Sequence, residues 1–225
     1  MDKYEISRKI EEFAPSELAE DWDCSGWGVD VKGRNEIHKA MLCLTVTEDV
    51  VNQARKSGCD LIVSHHPLFY VPLEWGDMNI YSAHTNLDRA KGGTTDTLIR
   101  SLGLTVSGED DFLRYVDCEI SVEDFIKKLR QISPNMRYVN NFDRKMLNRI
   151  AFCAGSGSEF INTAKEGGAE ALVTGDLKFH TALDSDIVVF DIGHFESEIL
   201  VLRVLASLLR GVQIIYAQEQ SPFIY

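Results

Sequence analysis

No stretch of the 225 residues stays apolar long enough to span a bilayer, and no signal-type hydrophobic segment follows the charged start Met1-Asp2-Lys3-Tyr4-Glu5. A cytoplasmic protein without membrane attachment is therefore expected. C-x-x-C spacing is missing as well. Cys24, Cys43, Cys59, Cys118 and Cys153 are scattered and odd in number, which argues against a disulfide framework and against a cysteine-based zinc site. Cys43 and Cys153 sit in apolar company and read as small hydrophobes within strands. A basic stripe is also absent, and the formal charge is −12. Binding to a nucleic-acid backbone rests on clustered Lys and Arg, so no such partner is expected. A small anionic substrate would need metal ions to offset its charge.

What the chain does contain is a repeat. Residues 40–88 align with 150–198 without a gap at a constant offset of 110. Cys43, Asn52, Ala54, Gly58, Val63, Phe69, Leu73 and His84 recur as Cys153, Asn162, Ala164, Gly168, Val173, Phe179, Leu183 and His194. His84-x3-Asp88 falls on His194-x3-Glu198, while Ser64-His65-His66-Pro67 falls on Thr174-Gly175-Asp176-Leu177. A long-period repeat is a statement about architecture. It points to two pseudo-symmetric units, with asymmetry where only the first copy carries the His-His pair. The open side left by Gly175 is the expected entry for substrate.

The pattern along the chain is α/β. Helical spacing of Ile6, Ile10 and Phe13 gives a first helix closed by Pro15, followed by a Gly-punctuated loop through Trp22 and Trp27. Strands are expected at 41–46, 61–63 and 80–83, with helices at 48–57 and 96–102; residues 105–120 carry no clear pattern. Ser121-Val122-Glu123-Asp124 is a capping signal for a helix to about Ile132. The second copy then gives strands at 149–154, 171–174 and 187–191, a helix at 159–166, a long helix from His194 to Leu209 and a strand from Val212 to Ala217. Strand–helix alternation with short turns predicts two α/β/α units with mixed, mostly parallel sheets. The first unit is placed at residues 1–115 plus 199–225 and the second at 116–198.

Five of the six histidines lie in the two copies: His65, His66, His84, His180 and His194. In parallel sheets ligands bind beyond the carboxyl ends of strands, where the His-His pair and the Asp88 and His194 segments fall. Pro67 keeps the turn after His66 extended. The spacing His194-x3-Glu198 puts both side chains on one helix face. Imidazole with carboxylate suits Zn, Mn, Fe or Co. Equivalence of Asp88 and Glu198 under the repeat suggests two divalent ions per chain, bound by His65, His66, Asp88, His194 and Glu198. Two such ions ~3.5–4 Å apart polarise a substrate oxygen and make water nucleophilic near neutral pH.

Other features stay open. His84 is either a proton-moving residue near the metals or structural, and it is the one catalytic candidate. Asp176 and His180 either line the opposite wall of the pocket or serve packing. Gly155-Ser156-Gly157-Ser158 reads as a tight turn or as a phosphate-facing loop, although it lacks a P-loop lysine. Trp22 and Trp27 either anchor their loop or form an aromatic wall.

These residues resemble the GTP cyclohydrolase I type 2 family, also called Ngg-interacting-factor-three-like dinuclear-metal proteins. The resemblance covers essentially the whole chain. It rests on Ala14-Pro15 through Asp21-Trp22-Asp23, Ser64-His65-His66-Pro67, His84-Thr85-Asn86-Leu87-Asp88, Gly155-Ser156-Gly157, Thr174-Gly175-Asp176, and Gly193-His194 with Glu198. It implies the same five metal ligands, intertwined α/β units without an inserted domain, and a ring-shaped homohexamer. It further implies hydrolysis with GTP or another nucleotide as substrate. The chain departs from the family pattern at Cys24, Trp27 and Thr94-Thr95-Asp96, outside the ligand set. The other class of function compatible with these residues is a metal-handling or regulatory protein, metallochaperone-like, without turnover.

Overall fold

The structure, a computed structural model, describes residues 1–223. Two compact units divide the chain: Met1–Gly93 with Val201–Gln220, and Thr94–Leu200 with the stretch from Ser221. The first unit opens with α1 (Lys3–Phe13), β1 (Gly26–Val29), β2 (Lys39–Cys43), α2 (Glu48–Lys56), β3 (Leu61–Ser64), β4 (Asn79–Ser82) and α3 (Thr85–Arg89). The second unit holds α4 (Thr94–Ser101), β5 (Gly108–Asp110), β6 (Leu113–Ser121), α5 (Val122–Leu129), β7 (Arg137–Val139) and β8 (Met146–Phe152). It continues with α6 (Ile161–Glu166), β9 (Ala171–Thr174), α7 (Phe179–Asp184), β10 (Val188–Asp191) and α8 (His194–Glu198). The chain then returns to the first unit for α9 (Leu202–Leu208) and β11 (Gln213–Tyr216).

The first sheet has the order β1-β4-β3-β2-β11, parallel throughout except for antiparallel β1 at its edge. The second has the order β5-β6-β8-β9-β10-β7, with β8, β9 and β10 parallel and the flanking strands antiparallel. Both sheets are covered by helices, so β3, β4, β9 and β10 are buried at every residue. Among the described residues no helix is long and apolar enough to cross a membrane.

Local chemistry explains the helices. Asp2 caps α1 by accepting from the Tyr4 N–H, and the helix buries Ile6 and Ile10 completely. Each such side chain contributes about 1.5–3 kcal/mol. Ser121 caps α5 as expected, and the helix buries Val122, Phe125 and Leu129. Phe125 meets the edges of Phe152 and Phe190 at 6.3 and 5.1 Å in the second core.

Several expectations change. The loop through Trp27 contains strand β1, which pairs with β4. Residues 105–120 form β5 and most of β6, and β7 was not foreseen. With three residues at a sheet edge, β7 is too short to show alternation. The long helix at 194–209 is interrupted by a 3-10 turn at Ile199–Val201, where the chain leaves the second unit. Apolar periodicity does not register such a turn, although the β-branched Ile199 and Val201 weaken the helix there. Residues 94–115, placed in the first unit from the sequence, belong to the second, because α4 packs on β6 and β6 pairs with β8.

The strand registers also refine the offset between copies. Ala40 pairs with Leu61 and Ile150 with Ala171, both consistent with 110. One strand further, Leu61 pairs with Asn79 but Ala171 with Val188, so the backbone offset becomes 109. The helices follow: the Asp88 N–H donates to His84 O at 3.0 Å, and the Ser197 N–H donates to Gly193 O at 3.2 Å. By backbone position His84 matches Gly193, and His194 sits one residue later. Asp88 and Glu198 are therefore not strict structural equivalents.

Candidate metal centre

Strand pairing delivers the two adjacent histidines. The ladder between β2 and β3 continues past Ser64, with the His65 N–H donating to Cys43 O at 3.2 Å and the His66 N–H to Leu44 O at 2.8 Å. The Ser64 hydroxyl binds His66 O at 2.9 Å and so curls the strand end. That turn lets neighbouring rings share one side, with centroids 5.1 Å apart, where a straight strand would part them.

His65 is fully buried, and its Nδ1 lies 2.9 Å from Ala83 O. A carbonyl only accepts, so Nδ1 carries a proton, and Nε2 is the nitrogen through which a metal could be held. Nε2 is 3.4 Å from Asp88 Oδ1, a carboxylate that is 16% exposed. His66 Nδ1 lies 2.7 Å from the Thr45 hydroxyl. The His84 ring stands 5.3 Å from that of His65 and 5.7 Å from that of His66. One ligand nitrogen from each of the three lies within 4.8 Å of the others. A bound divalent ion would satisfy such converging lone pairs, and the donor set fits one.

In the second unit, His194 begins α8 and is gripped by two carboxylates. Its Nε2 is 3.0 Å from Glu198 Oε2 and its Nδ1 is 2.7 Å from Asp176 Oδ2. The bond with Glu198 raises its pKa most; burial opposes the rise, and Asp176 adds to it, giving about 9. Proton and metal compete for these same nitrogens. Gly155 makes the pocket for Glu198: a Cβ there would stand 2.1 Å from Glu198 Oε1, on a backbone at φ +69°. Gly157 is equally constrained, because a Cβ would meet the Cys153 side chain at 2.5 Å. The Gly-Ser-Gly-Ser segment is thus a packing turn that seats the Glu198 carboxylate.

Gly175 does not open an entrance. A Cβ on it would lie 2.8 Å from the His194 nitrogen and 3.0 Å from Gly155 O, so backbone fills that side. Asp176 reaches His194, whereas His180 is exposed on α7 with its ring against Phe179. Trp27 is an anchor, edge-on to Tyr4 and Tyr81 at 5.9 and 5.2 Å. Trp22 is 59% exposed and meets the His84 ring edge-on at 6.0 Å. Cys24, Cys43, Cys59 and Cys118 are free thiols, and burial pushes the Cys43 thiol well up.

A family model described as Duf34/NIF3 (NGG1p interacting factor 3) matches residues 1–222. The chain belongs to the Duf34/NIF3 family. A "GTP cyclohydrolase 1 type 2 homolog" of Clostridium perfringens is 33% identical over 97% of both chains, and one of Campylobacter jejuni is 30% identical over 98% of both. Among solved structures, "Reduced HcgD from Methanocaldococcus jannaschii" superposes with a TM-score of 0.85 at 27% identity, covering 97% of this chain and 98% of that one. The protein ybgI, described as of unknown function, gives 0.89 at 21% identity, covers 99% and 100%, and supports the fold alone.

One functional residue of this Duf34/NIF3 protein carries no sign of its role in the sequence. The Asp23 side chain is fully inaccessible and binds His84 Nδ1 at 3.0 Å through Oδ1. Its Oδ2 accepts from the Ser25 hydroxyl at 2.8 Å, the Thr85 N–H at 3.0 Å and the Thr85 hydroxyl. Burial pushes its pKa up, yet bonds from Thr85, His84 and Ser25 outweigh burial and hold it at about 2. An ionised Asp23 can only accept, so the His84 Nδ1 donates to it and Nε2 is the ring nitrogen left for other partners. Only the tertiary fold brings these residues together across 61 positions.

Proposed function

We propose that this protein is a metal-dependent hydrolase carrying two divalent ions per chain, with His65, His66, Asp88, His194 and Glu198 as ligands. The observation that carries the proposal is the buried His65. Its Nδ1 donates to Ala83 O so that Nε2 turns toward Asp88, beside His66 and His84. Mixed nitrogen and oxygen donors favour Zn, Mn, Fe or Co. Bound there, such ions would supply Lewis acidity and lower the pKa of water.

The protein's own groups supply the proton chemistry. His84 Nε2 accepts a proton from an attacking water, and Asp23 stabilises the imidazolium that forms. The exposed indole of Trp22 beside His84 offers a face to a purine. The names of the relatives support GTP as the first substrate to test. Opening the guanine ring requires one water to add at C8 with cleavage of the C8–N9 bond, leaving a formamide on N7, and a second water to hydrolyse that formamide to formate and the free amine; His84 would serve the proton transfers of both steps.

The test is incubation of metal-loaded protein with GTP, with formate release measured beside an active control. Conversion that falls 10²–10⁴-fold in His84→Ala supports the proposal. Intact GTP in the presence of bound metal removes this substrate. If the bound metal then passes readily to an acceptor, a metal-handling role is favoured instead.

A further inference from the structure

With Gly175 blocked, the described part of the second unit has a cavity on another side of His194. It measures about 210 Å³ and is lined by Asn135, Met136, Arg137, Asp191, His194 and Phe223, among others. We propose that this cavity is a subsite for the oxyanion end, carboxylate or phosphate, of the substrate, with Arg137 as its anchor. The inference rests on the metal-centre reading for His194.

Arg137 is held in place without any ligand. It lies on β7 opposite Asp191 of β10, its Nε donates to Asp191 Oδ2 at 2.8 Å, and its Nη2 donates to Leu177 O at 2.8 Å. Even so, its side chain is 70% exposed, while that of Asp191 is 6% exposed. The Asp191 carboxylate also accepts from the Leu177 and Gly193 N–H groups, each at 3.1 Å, so its charge is compensated within the protein. The other carboxylate at the cavity, Asp176, is bound to His194. Among the described residues that line the cavity, both carboxylates therefore have partners within the protein. The guanidinium presents its remaining N–H edge in a planar geometry suited to carboxylate or phosphate oxygens.

Size restricts what enters. The cavity measures about 210 Å³. That is below the ~300 Å³ at which pockets for whole drug-sized ligands begin. It accommodates the charged end of a substrate, with the apolar Met136 and Phe223 alongside.

Titration of the full chain, metal-loaded and metal-free, with inorganic phosphate and separately with acetate tests the subsite. The readout is NMR of the Arg137 side chain and the Gly193 and His194 amides. Saturable shifts at these groups are expected, with affinity falling at least tenfold in Arg137→Gln and less in Arg137→Lys. Because Arg137 also braces Asp191, Asn135→Ala provides a variant that leaves the brace intact, expected to weaken binding about threefold. A preference for phosphate or for acetate identifies which oxyanion the substrate carries. Unchanged affinity in Arg137→Gln, or shifts confined to other surfaces, overturns the subsite. Metal content is measured in the same samples. A chain that takes up no metal on loading yet shows Arg137-dependent binding would remove the metal reading and keep the subsite, and metal uptake without Arg137-dependent binding would do the reverse.

Discussion

Asp23 and His84 depend on each other, and both dependences are measurable. The folded pKa of Asp23, about 2, lies below its ordinary 3.8. Its contribution to stability is therefore complete above about pH 4 and is lost as pH falls toward 2. Asp23→Asn lacks this titration, so its melting temperature is expected to fall below that of the parent at neutral pH, with the gap closing in acid. Nitrogen-15 NMR of the imidazole should show His84 losing its Nδ1–H form in this variant, which simple destabilisation would not cause. His65→Ala combined with Glu198→Ala should abolish bound metal in elemental analysis. Retention of the parent metal content would sink the ligand assignment. Of these residues, the histidines and Glu198 are legible in the sequence because their chemistry is rare and their spacing regular. Asp23 is not, since a carboxylate in a polar loop looks like solvated surface until the fold brings His84 against it.

At the level of elements, the turn before α6 makes the sharpest case. Gly155→Ala should cost about 1–2 kcal/mol from its left-handed backbone and also displace Glu198. Gly103→Ala is the control, with φ +68° and nothing within 4 Å of the added Cβ. Both variants should melt earlier, but only Gly155→Ala should lose metal affinity, by tenfold or more in a competition titration. Equal metal affinity in the two would separate Glu198 from the site. The core strands and the capped helices α2 and α5 were legible because burial and capping act over a few neighbouring residues. Strands β1 and β7 were not, because each exists only through an antiparallel partner distant in the chain. The break between α8 and α9 escaped for a related reason: apolar residues continue through Ile199–Val201 although the helix does not.

For the whole molecule, metal analysis of freshly purified protein should give about two ions per chain. Native mass measurement should give six chains per particle, the assembly implied by the family resemblance; a monomeric mass would remove that expectation. Composition and periodicity were enough to establish an α/β chain with alternating strands and helices and a concentration of histidines near strand ends. They sufficed because residue type and spacing act locally and survive without coordinates. The shift of the offset from 110 to 109, the Asp23–His84 pair, the blocked side at Gly175 and the cavity at Arg137 came only from the folded chain. Each depends on register or on contacts between residues far apart in sequence, and a linear pattern carries neither.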